Sequence, residues 1–379
     1  MHVLDRATAR FRPTVAVVDL DAVRHNVRAV KPAGAQFMAV VKANGYGHGA
    51  VPVAGAAVEA GATWLGVALV EEGIRLREGG LDAPILVLTE FPPGSEGEAI
   101  AAGLTPTVYS ADAVRRLAAT ASSLRVASLS PHVKVDTGMH RVGARPEDLA
   151  GILRALADAG LEVGGLWTHL AKSEEIDDAF TGEQIGRFRR AVEGATRGRP
   201  SPPLLHAANS GATLARPDSH FDLVRVGIAM YGLSPGEQVR GRADLRPALS
   251  WKSAVTMTKR VPAGDAVSYG QRYRLEREST IATVPVGYAD GYSRLLSGRA
   301  DVLIRGYRHP VAGTVTMDQI MVDCGDSAVE PGDEVVLIGG QGDEVITADE
   351  LAGLIGTINY EIVCGVSERV PREYSGGSA

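Results

Sequence analysis

Cysteine is almost missing from this chain: 379 residues hold two, Cys324 and Cys364, at no metal-like or redox-motif spacing. A disulfide framework is thereby excluded, and the usage fits a reducing compartment. Long apolar runs are missing too. No stretch reaches the roughly 20 residues that a membrane-crossing helix needs, so no membrane partner is expected. The start, MHVLDRATARFRPT, is Arg-rich but lacks an apolar centre and reads as no secretory signal. A cytoplasmic protein is expected. Charge of one sign does not dominate: the net charge is −6, which gives no argument for nucleic acid or an anionic surface as a partner. The nine histidines form no HExxH pair and no Walker A lysine occurs, so no metal and no P-loop are expected. The tail YSGGSA reads as frayed. What remains is 45% hydrophobic and 22% charged, an ordinary globular composition in a chain long enough for two or three domains.

Between Phe37 and Gly232, short β-rich runs alternate with Ala-rich helical stretches. The strands read as FMAVVK, WLGVAL, ILVLT, TPTVYS, HVKVD, EVGGLWTH, LLHAA and LVRVGIAM. One helix is expected over Pro146 to Gly160, with Pro early, Gly after the last turn, and Leu149, Ile152, Leu153 and Leu156 at helical spacing. Alternation of this kind gives parallel βαβ units, and eight of them predict a TIM-like (β/α)8 barrel. Near Pro247 the pattern changes to β-rich runs broken by turns such as PAGD and EPGDE. The expected organisation is α/β: a barrel over 14–246, then a mostly β domain over 247–379. The early run TVAVVDLDAV could pair with that β domain and make it discontinuous.

Active sites of such barrels lie at the C-terminal ends of the strands. Lys42 follows the first strand. Lys134 ends the fifth, with Arg141 beyond it, and His169 ends the sixth. Asn209 and Ser210 follow the seventh; Arg225, Gly227 and Ile228 end the eighth. A lysine in a barrel mouth is partly desolvated, which favours its neutral amine and Schiff-base chemistry; an ordinary snorkelling lysine is the competing reading. Ser210 and the Gly227–Ile228 backbone stand where barrels often hold phosphate, although Ser210 also reads as a helix N-cap.

The runs AVVKANGYGHG, KVDTGMHR, ANS, VRVGIAMYGL, VSYG, VGYADGY, VTMDQ and INYE occur in one order along nearly the whole chain. Together they resemble the alanine racemase family. The resemblance implies a pyridoxal phosphate (PLP) enzyme that interconverts L- and D-alanine, for peptidoglycan, as a homodimer with shared active sites. It implies that Lys42 carries PLP as a Schiff base, and that Tyr46, Ser210, Gly227, Ile228 and Tyr360 hold the phosphate, with Asn209 supporting that loop. His169 would pack beside the cofactor ring and steady Arg225, which would face the ring nitrogen. Arg141 would contact the cofactor's phenolic oxygen and the substrate carboxylate, paired with a carbamylated Lys134. Tyr269 would be the second base, Met317 would bind the carboxylate through its backbone N–H, and Tyr288 would line the approach.

Two bases on opposite faces suit a reaction that removes a proton from one face and returns it on the other: Lys42 for the D-enantiomer, Tyr269 for the L-enantiomer. A phenol ordinarily keeps its proton up to about pH 10, so a phenolic base needs cations, and His169 with Arg225 are expected to supply part of that charge. Thr314, Thr316 and His140 depart from the family's usual pattern and bear on substrate range. A broader racemase for serine, lysine or ornithine shares every catalytic residue. A barrel-type decarboxylase places an acid where this chain has Arg225. A non-catalytic PLP-binding protein resembles the barrel alone and lacks the β domain with VSYG and VTMDQ.

Overall fold

The computed structural model describes residues 11–126, 128–197 and 203–377. The first ten residues of the Arg-rich start and the last two of the tail lie outside the described residues. The chain divides into two compact units. One is Leu20–Pro247; the other joins the segment ending at Asp19 to the chain from Ala248 onward.

The first unit is built from short parallel strands with helices between them. Leu223–Val226, Gln36–Val40, Trp64–Val67, Ile85–Val87 and Leu104–Thr105 form one arc. Thr107–Val108, His132–Lys134, Gly165–Trp167 and Leu204–His206 form the other. The run read as a single fourth strand is split at Pro106, which has no N–H to give to the ladder. Its carbonyl still accepts from the His132 amide at 2.9 Å, which carries the sheet across the break. The circle closes where Asp222 N donates to Leu205 O at 3.0 Å and Arg225 N donates to Ala208 O at 2.9 Å. This is the expected (β/α)8 barrel. Met38, Leu86 and Leu223 meet in its interior with Trp64 and Leu88 against them. The helix expected from its Pro and Gly begins as a 3-10 turn, Pro146–Asp148, and continues as Leu149–Asp158. Its buried residues are Leu149, Ile152, Leu153 and Leu156. Those are the i, i+3, i+4, i+7 positions that share one face.

The second unit is mostly β. In its main sheet Val15–Asp19 lies between Leu249–Ala254, antiparallel, and Arg372–Ser375, parallel. The early apolar run therefore belongs to this sheet. Leu249–Ala254 alternates buried and half-buried residues, as a strand with one covered face does. A three-stranded sheet follows, Met257–Val261, Ser279–Val284 and Ile320–Asp323, with the small pair Ala266–Val267 and Tyr273–Arg274. Among the described residues, no helix is long and apolar enough to cross a membrane.

Candidate active site

Lys42 stands two residues past the first barrel strand, half-buried. The backbone that follows it turns left-handed: φ is 51° at Ala43, 51° at Asn44, 63° at Gly45 and 50° at Tyr46. Each non-glycine residue in that region costs roughly 1–2 kcal/mol, so the turn must be held from outside. Glu72 holds it. One carboxylate oxygen accepts from Ala43 N at 2.6 Å, and the other accepts from Ala68 N and Leu69 N at 2.9 and 3.2 Å. A charge-assisted bond of this kind is worth about 1.5–3 kcal/mol net, enough to offset one or two of the strained residues. The carboxylate thus ties the mouth of the first strand to that of the second. No motif in the sequence marks Glu72.

The turn sets Tyr46 against Gly227. A Cβ at Gly227 would lie 2.4 Å from the Tyr46 hydroxyl oxygen, so only glycine lets the phenol approach this backbone. On the other side Ser210 Oγ accepts from Gly227 N at 3.0 Å and Ala229 N at 3.4 Å. Tyr46, Ser210, Gly227 and Ile228 are therefore neighbours. The strand read as LVRVGIAM stops at Val226, and Ile228–Tyr231 is a 3-10 turn. The N-cap of helix Ser210–Ala215 is Asn209 rather than Ser210: its Oδ1 accepts from Ala212 N at 3.1 Å and from Ser173 Oγ at 2.6 Å. That frees the Ser210 hydroxyl to face Gly227.

Arg225 lies inside the barrel at 3% exposure. It donates to His206 Nδ1 at 3.1 Å, His169 Nδ1 at 3.3 Å, Thr168 O at 2.8 Å and Ala207 O at 2.9 Å. Among the described residues no carboxylate acts on it. Its guanidinium carbon stands 4.6 Å from the centroid of Trp167, and Lys134 Nζ stands 4.5 Å from the same indole. The electron-rich ring face stabilises both cations without neutralising either. Burial pulls Arg225 down to about 9. Lys134 falls to about 7, first through burial and then through repulsion by Arg225 and Arg141. His169 is held well below its ordinary value by burial and by Arg225, Lys134, Arg141 and Lys42 together. This corrects the expectation that His169 supplies positive charge. It is neutral, because its Nδ1 accepts from a donor-only arginine, and the local charge comes from the cations around it.

Arg141 is exposed, at the end of a loop fastened by Asp136, whose Oδ1 accepts from the amides of Gly138, Met139 and His140. His140 has φ 55° and an exposed side chain. A left-handed φ favours glycine or asparagine over histidine, so this departure concerns backbone rather than the pocket.

Tyr269, Tyr288, Met317 and Tyr360 belong to the other unit. Tyr269 opens a short 3-10 turn, Tyr269–Gln271, and is 73% exposed. Ser268 Oγ donates to Thr314 O at 2.7 Å and Thr314 Oγ1 donates to Tyr269 O at 2.9 Å. Thr314 thus holds the tyrosine's loop, and Thr316 Oγ1 closes its own turn on Gln319 O at 2.7 Å. The Met317 and Tyr288 loops are joined by Tyr288 N to Thr316 O, 3.0 Å, and Ala289 N to Met317 O, 3.1 Å. Tyr360 is half-buried on helix Asn359–Gly365. Sequence reasoning missed Glu72, Trp167, His206 and His132; the only signal for the last three was an aromatic or imidazole on a barrel strand.

Two family models match the chain: alanine racemase, N-terminal domain, over residues 18–235, and alanine racemase, C-terminal domain, over 248–374. The alanine racemase of Symbiobacterium thermophilum is 51% identical over 374 residues, 97% of this chain and 99% of the relative. Among solved structures, the alanine racemase of Bacillus anthracis with bound L-Ala-P has a TM-score of 0.92 at 41% identity, covering 97% of this chain and 96% of that one. That of Bartonella henselae, with covalently bound pyridoxal phosphate, has a TM-score of 0.86 at 29% identity, covering 96% and 99%.

Proposed function

The chain belongs to the alanine racemase family, a family of isomerases, and we propose that it interconverts L- and D-alanine with pyridoxal phosphate held at the barrel mouth. One observation carries the reading: the Tyr46 hydroxyl and Ser210 Oγ meet at the Gly227 backbone, just past the strand that carries the buried Arg225 into the barrel. The donor set fits this cofactor. A phosphate dianion suits Tyr46, Ser210 and the Gly227–Ile228 backbone, with Tyr360 as a further donor and Asn209 bracing the loop. A ring nitrogen suits Arg225, and a phenolic oxygen suits Arg141. The relative with covalently bound pyridoxal phosphate supports the assignment.

The bound cofactor supplies the electron sink for a carbanion at the alanine α-carbon. The chain does the rest. Lys42 would hold the cofactor through its side-chain amine, and that amine would move the proton on the face of the D-enantiomer. Tyr269 moves it on the opposite face. Arg141 and the Met317 N–H orient the carboxylate, and Tyr288 lines the approach. Arg225, a permanent donor, would face the ring nitrogen with an N–H and give it no reason to take a proton. The cofactor would then be a weaker electron sink, which would limit transamination. Because Tyr269 and Met317 belong to the other unit, we propose a homodimer whose sites combine the barrel of one chain with the β unit of its partner. The D-alanine would serve peptidoglycan, and the setting is cytoplasmic.

Purified protein loaded with PLP should abolish the optical rotation of L-alanine, and of D-alanine, reaching the same zero from both sides. Rotation that persists from both sides, or release of CO2, would sink the reading.

Lys134 gives a second test. At a pKa of about 7 a large share of its amine is neutral near neutral pH. The neutral amine attacks CO2, a C–N bond forms and one proton leaves to solvent, giving a carbamate that pairs with Arg141. Lowering the pH below about 7 protonates the amine and opposes this. Lys134→Ala should lower kcat/KM roughly 10- to 100-fold, the loss of one charge-assisted bond. Acetate should restore part of it. If acetate leaves the Lys134→Ala rate unchanged, the carbamate is wrong.

A further inference from the structure

We infer that His132, on the fifth barrel strand, is a positioning residue for the reaction: through His206 it fixes the hydrogen-bond direction that holds the Arg225 guanidinium. The inference rests on the reading that Arg225 faces the cofactor's ring nitrogen.

The direction follows from what each group can do. Arginine only donates. Its Nη1 is 3.1 Å from His206 Nδ1, so that nitrogen carries a lone pair, and the proton of His206 sits on Nε2. Nε2 of His206 is 2.9 Å from Nδ1 of His132, so Nδ1 of His132 accepts in turn and its own proton sits on Nε2. Both rings must be neutral, because an added proton on either would set two donors face to face. Burial keeps them so. It takes His132 down to about 3, with Arg225 adding to the effect, and holds His206 well below its ordinary value. Packing restrains both rings. Trp167 stacks on His206 at 5.6 Å and 9°, and Trp64 lies 5.2 Å from His132.

The bond between the two histidines spans a strand. His132 is on the fifth strand and His206 on the seventh, with Gly165–Trp167 between them. Alternate strands of such barrels contribute to one interior layer, and here the bond passes over Gly165, the register partner of His132. A Cβ at Gly165 would lie 2.5 Å from His132 Nδ1, closer than any side chain tolerates. Glycine at this place is what lets the imidazole lean across. The far nitrogen, Nε2 of His132, is on the Gly164 side, and both residues line a cavity of about 300 Å³ with Trp64 and Ser130.

The arrangement solves a specific problem. A carboxylate would hold a buried arginine more firmly, but its negative charge would cancel the one the ring nitrogen should meet. A chain of neutral imidazoles supplies an acceptor and no charge. If His206 took the other tautomer, its Nδ1–H would oppose Arg225 Nη1–H, and the guanidinium would lose one of its four acceptors.

The test labels histidine with 15N in the full-length chain, with and without PLP, and reads the tautomers at neutral pH. His206 and His132 should both show an acceptor Nδ1 and a protonated Nε2. An imidazolium or an Nδ1–H at His206 would overturn the inference whether or not the cofactor reading holds, since the cofactor-free chain reports it too. Two variants then remove the second link, His132→Leu chemically and Gly165→Ala by displacement. Each should blur the single His206 tautomer and lower kcat about five- to tenfold, with KM for alanine unchanged and more pyruvate formed per racemisation. His132→Asn, whose amide oxygen can stand where Nδ1 was, should recover most of the loss. If the leucine variant folds, keeps one His206 tautomer and keeps its kcat and its pyruvate ratio, His132 has no such role.

Discussion

Lys42→Ala is expected to lower racemisation in both directions by about four orders of magnitude, the upper end for losing a positioned acid–base group, and to remove the visible absorbance of the lysine-bound cofactor. The chain offers one rival. Lys134 also stands at a strand end, and burial lowers it to about 7, so a large share of its amine is neutral near pH 7. Geometry separates the two. Lys134 is 3% exposed and lies over Trp167 among the interior cations, whereas Lys42 is half-buried at the head of the left-handed turn that carries Tyr46. Lys172, the next lysine along the barrel, is tied to Glu175 and Asp178 at 2.9 and 2.6 Å, and those carboxylates keep it protonated. The absorbance decides between the first two: Lys134→Ala should keep the visible band and Lys42→Ala should lose it. The opposite pattern would move the cofactor linkage to Lys134.

Much of this was legible in the sequence, for a physical reason. A parallel strand buried on both faces must be an apolar run, so a charged residue at its end stands out. Lys42, Lys134 and Arg225 were visible in that way. The barrel was legible because Pro, Gly and helical spacing punctuate it, as Leu149–Asp158 shows. Residues whose work is done across the fold were not legible. Glu72 braces a turn from another strand's helix, 29 positions from Ala43. Trp167 and His206 look like ordinary core in a strand pattern, and only the three-dimensional layer shows that they surround a buried arginine. Charge state was equally hidden. His169 beside Arg225 was expected to add positive charge, but a donor-only neighbour and burial make it neutral. The departures at Thr314 and His140 changed meaning as well. One holds the backbone of Tyr269 and the other occupies a left-handed position, so neither argues for a different substrate.

Two inactive variants should make an active enzyme when mixed. Lys42 is on the barrel unit and Tyr269 on the β unit, and the proposed dimer places the β unit of one chain at the barrel mouth of its partner. A twofold dimer then has two equivalent composite sites. Lys42→Ala and Tyr269→Phe chains, each inactive alone, are mixed and allowed to exchange subunits. In the heterodimer one site takes Lys42 from the Tyr269→Phe chain and Tyr269 from the Lys42→Ala chain, so it holds both bases. The other site holds neither. With random exchange half of the dimers are mixed, each with one working site of two, so activity should rise from the parental floor to about a quarter of the wild-type value. Exchange itself is followed by differently sized tags, so that failure to mix is not mistaken for failure to complement. Activity that stays at the floor while tagged heterodimers form would mean that both bases come from one chain. The Tyr269 turn would then have to meet the barrel of its own chain, and the shared-site proposal would be withdrawn while the assignment of the two bases stood.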